Sequence, residues 1–434
     1  MNIVLLSGGS GKRLWPLSND VRSKQFIKIF KKPDGSYESM VQRVFRQIKK
    51  ADKNAVVTIA TSKTQVSAIK NQLGSNVGVS IEPCRRDTFP AIALATAYLV
   101  DVMHVDENEP VIVCPVDPYV KDDYFEALVR LSEQVKKGEA NLVLMGIEPT
   151  YPSEKYGYII PEDNNNISKV QTFKEKPVKS VAEEYLKKGA LWNGGVFAYK
   201  LKYMIEKAHE LIDFVDYQDL FNKYETLEKI SFDYAVVEKE KNIQVIRFTG
   251  EWLDLGTWNT LTEAMEDSIL GKGILSCNCK NVHIVNELDV PVLAMGLKDM
   301  IISASPDGIL VSDKEQSAFI KPYVDDIDHE IMFAEKSWGE FTVIDKEYDS
   351  LTLKINLDAG QSMSYHSHEN RNEVWVVLSG EGMVVIDDVE RKIFQGDVIS
   401  MPIGSRHMIK AETNLDLIEI QIGKDISVND KKKH

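Results

Sequence analysis

The earliest hydrophobic signal in the chain is Ile3 to Leu6, an unbroken apolar run of the length expected for a buried strand. Ala55 to Ala60, Val111 to Cys114 and Leu142 to Ile147 repeat this pattern, and Thr88 to Leu99 reads as a helix with Pro90 in its first turn, where a missing N–H does no harm. Strands alternating with helices over residues 1 to about 150 predict a mainly parallel sheet covered on both faces. Residues 274 to 322 differ. Short apolar runs (Val282–Val285, Val290–Ala294, Met300–Ile302, Ile309–Val311, Ala318–Ile320) recur between turns and predict a small β-rich connector, coiled in the manner of a β-helix, with a structural role. Asp325, Asp326, Asp328 and Glu330 then read as a solvated acidic linker. Glu381–Asp387 and Gly396–Met401 read as barrel strands near the C-terminus.

At 434 residues the chain has room for two or three domains, and a hydrophobic fraction of 43% allows a large core. A net charge of −14 argues against non-specific binding to nucleic acid or to an anionic membrane. The first 32 residues depart from this balance, with seven Lys or Arg and one acid, Asp20. A local positive field in an acidic protein suits a small polyanion such as a nucleotide. The cysteines, Cys84, Cys114, Cys277 and Cys279, show no Cys-x-x-Cys spacing and are assigned neither metal nor disulfide. With no charged leader before the first strand and no apolar stretch of membrane-spanning length, a reduced, cytoplasmic protein is expected.

The basic cluster abuts a glycine turn, Ser7-Gly8-Gly9-Ser10-Gly11-Lys12-Arg13, directly after the first strand. Successive N–H groups in such a turn form a concavity suited to phosphate oxygens. It is not a Walker A loop, since Leu6 and Arg13 stand where that motif needs Gly and Ser or Thr. It is not a dinucleotide fingerprint, since Leu14 stands in the place of the third glycine. Ligands of open α/β sheets bind beyond the carboxyl ends of the strands. Asp117 falls at such an end, and Asp254 lies among Trp252, Leu253 and Leu255, where a carboxylate is costly unless paired or bound to metal. Two aspartates on one Mg²⁺ fit phosphoryl chemistry.

Near the C-terminus, Gly360 is followed by five residues, His366-x-His368, four residues, Glu373, six residues and Gly380. Gly396 is followed by five residues, Pro402-x-Gly404, two residues and His407. This spacing matches the two motifs of the cupin barrel. Residues i and i+2 of a strand share a face, so His366 and His368 point the same way, and Glu373 and His407 can reach the same interior point. Imidazoles with a carboxylate suit a divalent transition metal (Zn, Mn, Fe, Co or Ni).

The stretch Gly8 to Ser18 with Lys24-Gln25-Phe26 resembles the signature of the sugar-phosphate nucleotidyltransferases. Within them the chain is most similar to the mannose-1-phosphate guanylyltransferase family, in its two-domain form with a C-terminal mannose-6-phosphate isomerase-like cupin. Pro115-Val116-Asp117 stands where the family has Pro-Ser-Asp-His, and Trp252-Leu-Asp254-Leu-Gly-Thr-Trp258 resembles its Trp-x-Asp-Val-Gly-Ser-Trp. Pro118 replaces the family's His, and Asp87 replaces an Asn in the segment Glu82 to Thr88 near the base. Phe173-Lys-Glu175-Lys176-Pro177 and Trp192-Asn193-Gly-Gly-Val-Phe197 resemble the sugar-binding segments.

The resemblance implies a Rossmann-like α/β transferase domain with a mixed, mainly parallel sheet at residues 1–270, the connector at 271–328 and a cupin barrel at 329–434. It implies that Ser7, Gly8, Gly9, Ser10, Gly11, Lys12, Glu82 and Arg86 bind the nucleotide. Arg13, Lys24, Asp117 and Asp254 would be catalytic, the two aspartates through Mg²⁺. Glu175, Lys176 and Asn193 would take the sugar phosphate. The cupin metal would sit on His366, His368, Glu373 and His407, with Arg371 a candidate isomerase residue; His366 stands where isomerases usually carry Gln. GTP, a sugar 1-phosphate and a second copy of the chain are the expected partners. The implied reaction joins GTP and mannose 1-phosphate into GDP-mannose and pyrophosphate, with interconversion of mannose 6-phosphate and fructose 6-phosphate in the cupin. Two alternatives stand beside it: the same transfer on another base or sugar, such as a heptose 1-phosphate, and a cupin that binds sugar or assembles without catalysis.

Overall fold

The computed structural model describes residues 1–434 apart from Ser10, Asp20, 328–330, Asp425, Val428 and Asn429. The described residues form two compact units, one of 1–9, 25–66 and 75–266, the other of 10–24, 67–74 and 267–434.

The first unit is built on a mixed sheet. Among the described residues it has nine strands in the order Gly78–Glu82, Val56–Ser62, Asn2–Ser7, Pro110–Pro115, Leu191–Lys200, Leu142–Ile147, Ile243–Phe248, Ile167–Lys174 and Tyr158–Pro161. Asn2–Ser7 is flanked by parallel neighbours on both sides, which is why its apolar run is unbroken. The alternating pattern over the first 150 residues predicts strand Leu142–Ile147 correctly but not its neighbours. The antiparallel strand Leu191–Lys200 separates it from Pro110–Pro115. The helix predicted at Thr88 to Leu99 runs over Thr88–Asp101 and is almost wholly buried. Asp87 caps it at φ +70°, its carboxylate accepting from the Thr88 N–H at 2.8 Å. Here the Asp does the capping work that an Asn does equally well.

In the second unit the short strands Ile269–Leu270, His283–Asn286 and Met300–Ser305 pair in parallel, as do Gly273–Leu275 and Val292–Ala294. This is the coiled β arrangement expected of the connector. One run differs: the segment read as a strand at Ala318 to Ile320 is a 3₁₀ turn over Gln316–Phe319, followed by the short helix Lys321–Asp325. Asp325 is exposed, as expected of a solvated segment, but it is not part of a linker. It ends that helix and pairs with Lys12 at 2.9 Å. Asp328 and Glu330 lie outside the described residues.

The C-terminal part of this unit is two antiparallel sheets, matching the expected barrel. One holds Phe333–Lys336, Gly339–Lys346, Ser350–Leu357, Leu415–Gly423, Arg371–Ser379 and Val398–Met401. The other holds Val389–Phe394, Glu381–Ile386, His407–Ala411, His366–His368 and Lys431–Lys433. Trp375, Val377, Leu353, Leu417, Val384 and Ile409 fill the space inside. No helix among the described residues is long and apolar enough to cross a membrane.

Candidate functional site

The glycine turn leaves the sheet at Ser7. That residue is buried, and its hydroxyl belongs to a polar network beneath the turn: Gln25 Nε2 donates to Ser7 Oγ at 2.9 Å, and Thr61 Oγ1 donates to Gln65 Oε1 at 2.8 Å. Gln65 also reaches the Gly9 carbonyl at 3.4 Å. These bonds tie Ser7, Gly9, Gln25, Thr61 and Gln65 together at the base of the turn. Gly8 has open space around it. Gly11 sits at φ +65°, and a Cβ there would lie 2.8 Å from the Lys24 nitrogen, so both conformation and close approach require glycine. This packing brings the backbone of Lys24 against the turn. Ser18 Oγ donates to the Gly11 carbonyl. Arg13 is exposed, between Lys12, held by Asp325, and the buried Leu14. Ser10 lies outside the described residues.

Asp117 lies between strand Pro110–Pro115 and the short strand Pro118–Val120. The latter pairs antiparallel with Trp252–Asp254, with Asp254 opposite Pro118. The ribbon thereby draws the two aspartates to one end, although they are far apart in sequence. Pro118, which has no N–H to donate, stands at the first position of its strand, where that lack is tolerated. Asp254 is exposed. The phenol of nearby Tyr156 is pushed up by burial and by the Asp254 charge.

Glu175, Lys176 and Asn193 are brought together, and the residue that joins them was not found by sequence reasoning. Asp233 accepts a hydrogen bond from Asn193 Nδ2 at 2.6 Å. Asn193 Oδ1 in turn accepts from the Gly195 N–H at 3.1 Å, at the bulge where strand Leu191–Lys200 shifts register. Lys176 Nζ pairs with Glu175 Oε1 at 2.6 Å, and Lys176 has φ +43°, uncommon for a residue with a side chain. A Cβ at Gly157 would run into the Glu175 carboxylate. Burial first, and then the charge of Glu175, raise the Asp233 carboxyl to about 7. Burial alone would lower the Lys176 ammonium, but the Glu175 hydrogen bond and the Glu175 and Asp233 charges raise it. Asp233 opens a π-helical segment, Asp233–Val237, a rare form that often accompanies functional residues. The sequence signal, an Asp beside Phe232 in a mostly apolar run, is weak. Tyr151, Tyr156, Trp192 and Trp252 form an aromatic cluster in the same unit, with successive ring centroids 4.9–5.4 Å apart.

Glu82 and Arg86 are placed elsewhere in this unit. Glu82 is buried and accepts from the Tyr224 hydroxyl at 2.9 Å, and burial raises its carboxyl. The Arg86 guanidinium donates to the Glu225 carbonyl. Both fasten the turn Tyr224–Thr226.

In the barrel, His366, His368, Glu373 and His407 are buried, with ligand atoms all within 4.8 Å of one another. Three imidazoles come from one sheet, with His366 directly opposite His407, and the carboxylate comes from the facing sheet. Each ring is oriented from behind by a carbonyl at its Nδ1: Ser364 for His366 (2.6 Å), Asp430 for His368 (3.1 Å) and Ser405 for His407 (3.0 Å). That assigns the proton to Nδ1 and turns each Nε2 lone pair inward, the arrangement of metal-ligating histidines. His407 Nε2 is buried with no hydrogen-bond partner among the described residues, although it lies 3.2 Å from Glu373 Oε2. An orphan of this kind fits a metal ligand. Burial, with the Lys431 and His407 charges, lowers His366 to about 3, so its ring is neutral as ligation requires. Burial alone would raise Glu373, but its contacts with His368 and His407 hold it far below the usual carboxylate range. Arg371 is engaged at three points: Nε to Glu373 Oε1 at 2.9 Å, one terminal nitrogen 3.2 Å from His368 Nε2, the other donating to the Ser427 carbonyl at 2.9 Å. Behind the cluster Glu419 accepts from Trp375 Nε1 at 3.1 Å, and burial with the charge of Glu373 raises it to about 7.

Residues 2–269 match the nucleotidyl transferase family model, and residues 326–433 match the mannose-6-phosphate isomerase C-terminal family model. A relative from Vibrio cholerae serotype O1 is 30% identical over 98% of both chains. The mannose-1-phosphate guanylyltransferase of Salmonella montevideo is 28% identical over 98% of this chain and 97% of its own. Among solved structures, one titled mannose-1-phosphate geranyltransferase, from Thermus thermophilus, is 27% identical with a TM-score of 0.61, covering 75% of this chain and 98% of that one.

Proposed function

The chain belongs to the nucleotidyl transferase family, in the form that carries a mannose-6-phosphate isomerase-type cupin, and from this premise we propose that it transfers GMP from GTP to mannose 1-phosphate, giving GDP-mannose and pyrophosphate. In this reading residues 1–270 are the transferase, 271–328 the connector and 329–434 the cupin. An oxygen of the sugar phosphate attacks the α-phosphorus, forming one P–O bond while the bond to the β-phosphate oxygen breaks. Gly8, Gly9, Ser10 and Gly11 cradle the triphosphate with backbone N–H groups, and Ser7 holds the cradle from below. Lys12 lends positive charge to the triphosphate, and Arg13 and Lys24 neutralise charge on the reacting phosphates. Glu82 and Arg86 shape the base side through the turn they fasten. Glu175, Lys176 and Asn193 hold the sugar phosphate.

The observation that carries this reading is the register of the ribbon that sets Asp254 opposite Pro118, beside Asp117. Two carboxylates at one strand end fit Mg²⁺, which favours carboxylate and phosphate oxygens and, when bound, offsets charge on the phosphates. The test is pyrophosphate release with a panel of nucleoside triphosphates and sugar 1-phosphates. Strong preference for GTP with mannose 1-phosphate supports the assignment; preference for another pair, such as a heptose 1-phosphate, replaces it. The reducing compartment that the four free thiols suit is consistent with a cytoplasmic enzyme.

For the cupin we propose a divalent transition metal on His366, His368, Glu373 and His407, where it would polarise a sugar carbonyl. The three contacts of Arg371 favour a role in orienting Glu373 and His368. Metal analysis with a mannose 6-phosphate/fructose 6-phosphate interconversion assay tests the isomerase. Bound metal without turnover leaves the cupin a sugar-binding or assembly module.

A further inference from the structure

We propose that the β-rich connector is a clamp for the phosphate loop, with Arg22 and Glu287 as positioning residues that fix where Arg13 and Lys24 present their cations. The proposal rests on the reading of that loop as the triphosphate cradle. The contacts it uses all lie within the second compact unit.

Arg22 is two residues before Lys24. Its guanidinium makes a bidentate ion pair with Glu287, at 2.7 and 2.8 Å, and lies 4.8 Å from the centroid of the Phe333 ring. Arg22 is only 8% exposed. A buried cation of this kind is costly without its partner, so the fork geometry holds the backbone on either side to one position.

The segment before Arg22 is closed on itself and then tied to the connector. Asn19 Oδ1 accepts from the N–H groups of Val21 (2.9 Å) and Arg22 (2.6 Å), and the Asn19 N–H donates to the Arg22 carbonyl at 2.9 Å. Asn19 Nδ2 donates to Asp307 at 2.6 Å, and the other Asp307 oxygen accepts from the Met332 N–H at 2.9 Å. Ser305 Oγ donates to the Pro16 carbonyl at 2.8 Å. The Trp15 ring lies against Gly308, and Lys12 pairs with Asp325. Lys12, Trp15, Pro16, Asn19 and Arg22 are thus each fastened by a residue more than 260 positions later. A free glycine-rich segment would lose much conformational entropy on gripping a triphosphate, and a segment held beforehand loses less. This gives the connector, which carries no chemistry of its own, a part in the transferase.

The test uses the full-length chain with GTP, mannose 1-phosphate and Mg²⁺, comparing the parent with Glu287→Gln, Asp307→Asn and the swapped pair Arg22→Glu/Glu287→Arg. Glu287→Gln is expected to lower kcat/KM for GTP about 10- to 100-fold per folded molecule, the scale of a small misplacement of binding groups. Asp307→Asn shifts it in the same direction, and the swapped pair recovers part of the loss. The proposal is overturned if Glu287→Gln stays within about twofold of the parent, or if its loss equals the fraction unfolded in a melting curve. An active parent with an unaffected Glu287→Gln refutes the clamp alone. A parent that releases pyrophosphate from no triphosphate refutes the reading of the loop, and the clamp with it.

Discussion

Asp254 stands directly across from Pro118 in the ribbon of Trp252–Asp254 and Pro118–Val120, one residue along from Asp117. Neither strand is long, and neither belongs to the main sheet. The ribbon serves to bring a carboxylate from late in the transferase half to the carboxyl end of strand Pro110–Pro115.

Asp254→Ala should lower kcat for pyrophosphate release by about 10³-fold if the two carboxylates share the metal, because a charge-neutralising group at the reacting phosphates is lost. Asp254 is exposed, so the melting midpoint should scarcely move. Full activity in this variant would refute the two-aspartate assignment. Steady-state assays over a Mg²⁺ titration make the measurement.

Asp233 should impose a pH dependence on the sugar-phosphate side. Its carboxyl is raised to about 7 by burial and by Glu175, so it is neutral below that pH and gains negative charge above it. An added charge beside Asn193 repels a phosphorylated sugar. KM for mannose 1-phosphate should therefore rise as pH increases through 7 in the parent. The rise should be absent in Asp233→Asn, and the parent-to-variant ratio cancels titration of the substrate itself. The same shift bears on stability: a carboxyl raised above its unfolded value contributes stability at low pH that is lost as pH rises through the folded value.

Gly11→Ala should both destabilise the loop and impair triphosphate use. The residue would be forced to φ +65° with a Cβ 2.8 Å from the Lys24 nitrogen. A cost of about 1–2 kcal/mol follows from the left-handed conformation alone. Denaturant melts and KM for GTP report the two effects separately.

If the proposed cupin metal is bound, His407→Ala should empty its site, measured by elemental analysis of the purified chain, since it removes one of the inward-facing imidazoles. Trp375→Phe should instead keep the ligands and leave the buried Glu419 without its Trp375 donor, costing about 1–3 kcal/mol of stability. Metal retention in the second variant together with loss in the first separates ligation from packing.

The local features of this protein were legible in its sequence. The glycine turn after Ile3–Leu6 was readable because only glycine takes the φ of Gly11 without penalty. The buried His/Glu cluster of the barrel was readable because strand parity puts His366 and His368 on one face at a fixed spacing. What tertiary structure alone decided depends on strand register and on contacts between distant residues. The antiparallel strand Leu191–Lys200 entered beside Pro110–Pro115, which alternation of apolar runs cannot specify. Asp233 joined Asn193 across 40 positions, and Glu287 met Arg22 across 265. Asp325, polar enough in sequence to pass for a linker residue, became the partner of Lys12. A hydrophobic pattern records which faces must be buried, whereas the pairing of one charged side chain with another is fixed only when the backbone has folded and brought them within hydrogen-bonding distance.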